Sequence, residues 1–194
     1  SRVFFSDDGS TAVEGALKIS VQYWHQQGQT SRNRFLVFGG AYHGDTLGAA
    51  SLASVEEFTH VFGPLLFDVL RPQTASVDDG AEEWSLMFEA AQKLARARQK
   101  DLAGIVIEPA IQGAAGMRLV PPDVLRALRH LADELDTFLI ADEVFVGYGR
   151  TGTMWGCEHA GISPDLMTVA KGFTGGVLPM GGTLTTERVF AGFS

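Results

Sequence analysis

Three apolar runs, each followed by an ionisable residue, constrain the fold of this chain more than any other feature. They cover residues 104–107, 138–141 and 166–170, and the residues that follow them are Glu108, Asp142 and Lys171. The runs do not alternate between apolar and polar residues, which predicts strands covered on both faces, as in a parallel sheet. Ligands of such sheets bind beyond the carboxyl ends of the strands. We therefore expect the three ionisable side chains to lie at one edge of the sheet.

The rest of the chain alternates between helix-like and strand-like stretches, which predicts an α/β domain with a mostly parallel central sheet flanked by helices. The spacing of Thr11 and Glu14 predicts a helix that begins near Thr11 and ends at Gly28. Further helices are expected over residues 82–100 and from the proline pair at 121–122. Shorter strands are expected at residues 3–5, 35–38, 67–70 and 183–186, with a polar loop at 71–81.

The composition of the chain argues against several classes of function. Its net charge of −8 comes from 15 Lys and Arg against 23 Asp and Glu residues, so neither a nucleic-acid partner nor a nucleic-acid substrate is expected. No apolar stretch approaches the roughly 20 residues of a membrane span, and no membrane partner is expected. Cys157 is the single cysteine, which predicts a reducing compartment such as the cytoplasm or an organelle matrix. His43 and the other histidines show no metal-ligand spacing, so a zinc site is not expected.

An amine and a carboxylate at two strand ends suit a carbonyl cofactor with a basic ring nitrogen, which is the chemistry of pyridoxal phosphate (PLP). Lys171 would form the imine with the aldehyde and then move a proton as a base, and Asp142 would keep the ring nitrogen protonated. Small glycines follow Lys171, so we expect a buried lysine beside a ligand. Two simpler interpretations stay open: a lysine whose amine reaches solvent, and an Asp-Glu pair that caps a helix.

A helix start and two loops would complete such a site. Gly9 and Ser10 precede the first predicted helix, where free N–H groups suit a phosphate, although an ordinary helix cap is the commoner explanation. Tyr42 follows a predicted strand, and its ring would stack on a flat cofactor unless it is an ordinary loop tyrosine with a bonded hydroxyl. Val144 would pack against the opposite ring face if the chain stays extended after the carboxylate.

Five segments together resemble the class III aminotransferases, a family of fold-type I enzymes that use PLP. In chain order they are residues 8–14, 41–46, 108–113, 142–152 and 170–172. Their order and spacing match the family over nearly all 194 residues. Phe145 departs from the pattern, because many members carry glutamine there. The resemblance implies that residues 1–194 are a PLP-binding large domain, and that a further N-terminal segment and a C-terminal small domain belong to the complete protein.

The resemblance also implies roles for individual residues. The glycine and serine at the helix start would bind the cofactor phosphate, and Glu108 would lie near the cofactor in a supporting role. Tyr42 and Lys171 would contact the substrate as well as the cofactor, and Arg150 would meet a substrate carboxylate. The family resemblance implies a homodimer in which the partner subunit donates a loop to the phosphate.

Shorter segments are similar to one branch of the family, in which adenosylmethionine donates an amino group to 8-amino-7-oxononanoate and 7,8-diaminononanoate is formed for biotin. These segments cover residues 21–24, 113–118, 174–176 and 183–186. The resemblance therefore implies an aminotransferase with a small-molecule amino donor and keto acceptor. Two alternatives stay open: a class III aminotransferase for ω-amino acids, ornithine or diamines, and a non-catalytic domain that binds PLP.

Overall fold

A computed structural model describes the chain over residues 1–54, 60–72 and 81–193. The strands are β1 (Arg2–Ser6), β2 (Arg34–Leu36), β3 (Leu102–Ile107), β4 (Ile111–Gln112), β5 (Arg118–Leu119), β6 (Phe138–Asp142), β7 (Leu166–Val169) and β8 (Gly181–Thr185). The α-helices are α1 (Gly9–Gln26), α2 (Leu47–Leu52), α3 (Ala81–Ala97), α4 (Pro122–Glu134) and α5 (Glu187–Ala191). Short 3-10 helices cover His60–Leu65, Gly156–Ala160 and Lys171–Phe173.

The described strands form a six-stranded sheet in the order β1-β8-β7-β6-β3-β2 and a separate hairpin of β4 and β5. β2, β3, β6 and β7 pair in parallel, whereas β8 runs antiparallel to both of its neighbours. β1 therefore points in the same direction as the four parallel strands. The predicted α/β architecture, with a mostly parallel sheet flanked by helices, is confirmed.

Helices cover the sheet on both faces, which explains why its inner strands are apolar without alternation. Ile105, Ile107 and Leu139 pack with α3 and α4 on one face. Val106 and Ile140 pack with α1 and α2 on the other face. Because successive residues of a strand point to opposite faces, every position of β3 and β6 is buried.

Helix α1 begins two residues earlier than the sequence predicts. Asp8 is its N-cap, and the capping box joins Asp8 to Thr11 rather than Thr11 to Glu14. The Asp8 carboxylate accepts a hydrogen bond from the N–H of Thr11 at 2.8 Å, and the N–H of Asp8 donates to the Thr11 hydroxyl at 2.9 Å. Aspartate caps a helix at least as well as threonine, so the earlier start is favoured. Gly9 and Ser10 consequently lie in the first turn, where N–H groups have no partner within the helix.

Three of the shorter strands also differ from the prediction, and the first of them, expected at 35–38, covers Arg34–Leu36. The strand expected at 67–70 is only a single bridge between Leu36 and Leu70, because the N–H of Phe67 donates to the Ser51 side chain instead of to a neighbouring strand. The strand expected at 183–186 begins earlier, at Gly181, and ends before Thr186, which is the N-cap of α5. Residues 73–80 of the expected polar loop lie outside the described residues.

The longest helix in the described ranges is α1, with 18 residues. None of the helices in these ranges combines the length and the apolar character that a membrane crossing requires.

The parallel direction of β1, β2, β3, β6 and β7 brings their carboxyl ends to one edge of the sheet. β1 leads into Asp8 and helix α1, and β2 leads into the loop that carries Tyr42. Glu108 follows β3, Asp142 is the last residue of β6, and Lys171 begins the turn after β7. The edge that the sequence predicts for the three ionisable residues is the edge on which they lie.

Candidate active site

A cavity of about 520 Å³ lies at this edge of the sheet. Its volume is in the range of small-molecule sites. The residues that the sequence suggests for a cofactor all line it: Gly9, Ser10, Tyr42, Glu108, Asp142, Val144 and Lys171. Asp142 and Lys171 come from β6 and from the end of β7, which are neighbouring strands. Arg150, by contrast, is exposed and is not among the residues that line this cavity.

The carboxylate of Asp142 is held in the cavity wall by three contacts. Its Oδ1 accepts hydrogen bonds from the N–H of Val144 at 3.1 Å and from the hydroxyl of Thr168 at 3.0 Å. Its Oδ2 lies 2.6 Å from Nδ1 of His43. Within the described ranges, His43 is the cationic group with which Asp142 forms an ion pair. The carboxylate is therefore immobile and still faces the cavity.

His43 is the residue of this site whose role the sequence does not reveal. Its side chain is completely buried, and Nε2 has no hydrogen-bond partner among the described residues. Burial by itself lowers the pKa of His43, but the hydrogen bond to Asp142 and the charges of Asp142 and Glu108 outweigh it and raise the pKa above the ordinary value. The fold thus favours a charged imidazole next to the carboxylate. The only sequence signal is that His43 follows Tyr42.

Glu108 connects two loops in the wall of the cavity. Its carboxylate accepts hydrogen bonds from the N–H of Tyr42 and from the N–H of Gly113, both at 3.1 Å. Burial raises the pKa of Glu108, and although the charge of His43 and the two backbone bonds oppose this effect, the net shift is upward. Glu108 therefore positions the backbone beside Tyr42.

Tyr42 is half-buried at the cavity wall, and its hydroxyl is paired with Asp45. Burial, followed by the hydrogen bond to Asp45 and the charge of Asp45, raises the pKa of Tyr42 to about 12. The phenol consequently keeps its proton at any working pH and presents a neutral aromatic ring to the cavity.

The start of helix α1 is packed closely against the rest of the site. A Cβ atom on Gly9 would lie 2.9 Å from Cγ1 of Val144, so only glycine lets the helix end approach this wall. The Ser10 hydroxyl accepts a hydrogen bond from the N–H of Asp45 at 3.1 Å. Gly44, with φ of +126°, passes so near Ser10 that a Cβ atom there would clash with it. The positive end of the helix is therefore held at the cavity by glycines on both sides.

Val144 lines the cavity, but not through the extended chain that the sequence suggests. The strand ends at Asp142, and residues 144–150 form a turn in which the N–H of Gly147 donates to the carbonyl of Glu143 at 2.9 Å. The carboxylate of Glu143 accepts the N–H groups of Gly156 and Cys157 at 2.8 and 2.9 Å, which fixes the far end of the loop. Val144 is placed by this turn and by its own bond to Asp142.

Lys171 lines the cavity but is exposed, so the expectation of a buried lysine is wrong. Its φ of +44° turns the chain out of β7. The small or exposed residues that follow, Gly172, Gly175 and Gly176 among them, do not cover the side chain. A non-glycine residue in this conformation is strained, and such strain is common at functional sites. The amine Nζ lies 5.4 Å from the centroid of the Phe145 ring.

The turn at Lys171 is supported by the aromatic ring of Tyr148. A Cβ atom on Gly172 would lie 3.1 Å from Cβ of Tyr148, and the Tyr148 ring stacks on Phe173 with centroids 6.0 Å apart. Tyr148 also meets Trp155 edge-on at 5.0 Å. The loop after β6 and the turn after β7 therefore pack on each other, which fixes Lys171 relative to Asp142.

These walls fit a phosphorylated pyridine aldehyde. A positive helix end with close glycines suits a phosphate, an immobile carboxylate suits a ring N–H, and a primary amine suits an aldehyde. An aromatic ring that stays neutral suits the face of a flat heterocycle. The cavity thus contains one matching group each for the phosphate, the ring nitrogen and the aldehyde of PLP.

Comparison with known proteins gives, over the whole chain, the family that the five sequence segments resemble. Residues 1–194 match the family described as Aminotransferase class-III. A protein of Nitratidesulfovibrio vulgaris named adenosylmethionine-8-amino-7-oxononanoate aminotransferase is 44% identical over 209 residues, which cover 100% of this chain and 37% of that protein. A protein of the same name from Synechococcus elongatus is 46% identical over 196 residues, which cover 100% of this chain and 46% of that protein.

Solved structures with the same fold carry related names. The adenosylmethionine-8-amino-7-oxononanoate aminotransferase of Methanocaldococcus jannaschii superposes with a TM-score of 0.88 at 33% identity, over 100% of this chain and 43% of its own. An amine transaminase from an uncultivated Pseudomonas species, solved in its PLP-bound form, has a TM-score of 0.90 at 34% identity, over 99% of this chain and 45% of its own. The chain spans less than half the length of these relatives.

Proposed function

The chain belongs to the class III aminotransferase family, and we propose that residues 1–194 are the cofactor-binding large domain of a PLP-dependent aminotransferase. The observation that carries the proposal is the position of Asp142, which ends β6, and of Lys171, which begins the turn after the neighbouring strand β7, because both line one cavity. An N-terminal segment and a small C-terminal domain would complete the enzyme, in keeping with the greater length of its relatives.

In this proposal each wall of the cavity holds one part of the cofactor. The N–H groups of Gly9 and Ser10 at the start of α1 would bind the phosphate. Asp142 would hold a proton on the ring nitrogen. Tyr42 and Val144 would contact the two faces of the ring. Glu108 would act indirectly, through the backbone of Tyr42 that it fixes.

When bound, PLP supplies an aldehyde and an electron-withdrawing ring that makes the substrate carbon acidic. The part of this chain is to hold and move protons. Asp142 would keep the ring nitrogen charged, with His43 and Thr168 fixing its two oxygens. The Nζ atom of Lys171 would bind the aldehyde between turnovers, take a proton from the substrate carbon that carries the amino group, and return it on the cofactor side.

The substrates that we propose are adenosylmethionine as amino donor and 8-amino-7-oxononanoate as acceptor, which give 7,8-diaminononanoate for biotin synthesis. The names of the full-length relatives at 36–46% identity support this choice. The amine transaminase of similar fold supports a second candidate, an aminotransferase for ω-amino acids, ornithine or diamines.

We propose a homodimer in the cytoplasm, with Arg150 available to a substrate carboxylate only if other parts of the enzyme bring it near.

Covalent attachment at Lys171 tests the cofactor assignment. The full-length enzyme is loaded with PLP, reduced with borohydride, digested and analysed by mass spectrometry. We expect the cofactor mass on the peptide that contains Lys171, and we expect Lys171→Ala to lose that mass and to lose amino transfer by about a thousandfold or more. Lys18→Ala, an exposed lysine on α1, is the matched control and should behave as the unmodified enzyme. Unchanged turnover in Lys171→Ala would exclude the proposal.

The identity of the amino donor separates the two candidates. Each donor is added alone to the PLP-loaded enzyme, and conversion of the cofactor to its amine form is followed by absorbance. Conversion by adenosylmethionine supports the biotin reaction. Conversion by alanine, glutamate or a diamine, with none by adenosylmethionine, supports the second candidate. Bound cofactor that no donor converts would indicate a domain that binds PLP without transferring amino groups.

A further inference from the structure

The ring of Phe145 forms a wall of the cavity that the roles above leave unexplained. Phe145 is half-buried, lines the cavity, and has its ring centroid 5.4 Å from Nζ of Lys171. This distance is within the range of a cation–π contact. A substrate carbon that exchanges a proton with this amine must therefore lie close to the Phe145 ring.

The position of the ring is set by Gly113. A Cβ atom on Gly113 would lie 3.1 Å from Cδ1 and 3.2 Å from Cε1 of Phe145, so a side chain at this position would press against the ring. The N–H of Gly113 donates to Glu108, which also fixes the backbone of Tyr42. The Phe145 wall is thus built into the same hydrogen-bonded frame as the rest of the site.

Besides Phe145, the cavity lining contains several other apolar side chains. The residues that share the cavity with Phe145 and carry aliphatic or thioether side chains are Ala114, Val144, Ala170, Leu178, Pro179 and Met180. The acidic residues of the lining are Asp8, Glu108 and Asp142. No arginine is found among the described residues that line the cavity. A carboxylate beside the Phe145 ring would lose its water, and the cationic groups of the lining are the lysine amine and His43, which is already paired with Asp142.

We propose that Phe145 is a specificity-determining residue, which selects substrates with a hydrocarbon substituent on the side of the reacting carbon that faces the ring. The inference rests on the proposed aminotransferase function and deepens it. The name of 8-amino-7-oxononanoate describes such a molecule, because methylene groups separate its keto carbon from its carboxylate. Glutamine, which many family members carry at this position, would offer polar atoms instead of an aromatic face.

The selection of hydrocarbon substituents is measured with methyl ketones that carry propyl, pentyl and heptyl chains. Two quantities are determined for the full-length enzyme: kcat/KM as amino acceptors, and the dissociation constant from the PLP-loaded enzyme without a donor, by calorimetry. The variants are Phe145→Gln, the apolar control Phe145→Leu, and Leu86→Gln, which makes the same apolar-to-amide change on an exposed face of α3. The dissociation constants report on Phe145 even if turnover is slow.

The unmodified enzyme should bind the methyl ketones more tightly as their alkyl chain lengthens. In Phe145→Gln we expect the heptyl ketone to lose about tenfold in both quantities and the propyl ketone less than about threefold, because each methylene on an apolar wall adds affinity. Phe145→Leu and Leu86→Gln should keep the dependence on chain length. Equal losses for all chain lengths, or no loss in Phe145→Gln, would overturn the inference. An unmodified enzyme that binds long ketones more tightly but transfers no amino group would instead refute the proposed function alone.

Discussion

Among the single residues of the site, Asp142 has hydrogen-bond partners on both carboxylate oxygens, and the shortest of these contacts is with His43. The two side chains are buried and 2.6 Å apart, while the hydroxyl of Thr168 and the N–H of Val144 bind the other carboxylate oxygen. A buried carboxylate without partners is costly, and a buried imidazole beside it is stabilised in its charged form. The stability and the protonation of this pair are therefore linked.

His43→Leu should destabilise the fold by about 1–3 kcal/mol, because it removes the partner of a buried carboxylate. His43→Asn, whose amide replaces the Nδ1 donor, should lose less. The measurement is the free energy of unfolding in urea for the unmodified protein and both variants. A loss in His43→Asn as large as in His43→Leu would contradict the role assigned to the hydrogen bond.

The raised pKa of His43 predicts that the stability of the fold depends on pH. Because the pKa of His43 is raised in the fold, the folded protein binds this proton more tightly than the unfolded chain. The resulting stability is complete below the ordinary histidine pKa of about 6.5 and is lost as the pH rises through the raised pKa. The unmodified protein should thus lose its advantage over His43→Asn across that interval. Glu108 and Asp142 face His43 in both proteins, so a pH-independent difference would argue against the assignment.

At the scale of elements, the site depends on how closely the start of α1 approaches two loops. Because Gly9 has no side chain, Val144 packs against the start of the helix. Because Gly44 has none, Ser10 packs against the loop after Tyr42. This close packing brings helical N–H groups to the cavity, where a phosphate can accept hydrogen bonds from them. A side chain at either glycine would move the helix relative to the sheet edge.

Gly44→Ala should destabilise the fold by at least about 2 kcal/mol, since it adds backbone strain and a clash with Ser10. It should also weaken PLP binding, because the Ser10 turn must shift. Gly63→Ala is the matched control: a Cβ atom there meets nothing within 4 Å, so its stability should stay near that of the unmodified protein. Thermal unfolding and PLP titration measure the two effects, and equal behaviour of the two variants would refute the argument.

At the scale of the whole molecule, the sheet separates two apolar clusters, and the residues proposed for the chemistry lie at its carboxyl edge. Cys157 lies away from the cavity lining, is 1% exposed, and donates its N–H to the buried Glu143. Burial, together with the charge of Glu143 and the hydrogen bond to it, raises the pKa of the Cys157 thiol well above its usual range. The thiol is therefore a reporter of the intact fold.

Cys157 should react with a soluble disulfide reagent at least about a thousandfold more slowly in the folded protein than in urea, because the reactive thiolate forms only after opening. Reaction rates followed by absorbance measure this difference, and bound PLP should not protect the thiol directly. Rapid labelling of the folded protein would show that the loop between Glu143 and Cys157 opens without unfolding of the sheet.

The sequence by itself determined the sheet and its functional edge. Continuous apolar runs identify β3, β6 and β7 as strands, and Glu108, Asp142 and Lys171 lie at or just beyond their carboxyl ends. Such signals are local, because burial on both faces and the end of a strand are both recorded in consecutive residues. Parallel pairing then brings the strand ends together wherever they stand in the chain.

Only the tertiary structure decided which side chains touch at that edge. The bond of His43 to Asp142 joins residues 99 positions apart. The exposure of Lys171 and its approach to Phe145 follow from a turn with positive φ and from the packing of one loop on another. These contacts depend on distances between segments remote in the chain, and no periodicity or spacing of the residues encodes such distances.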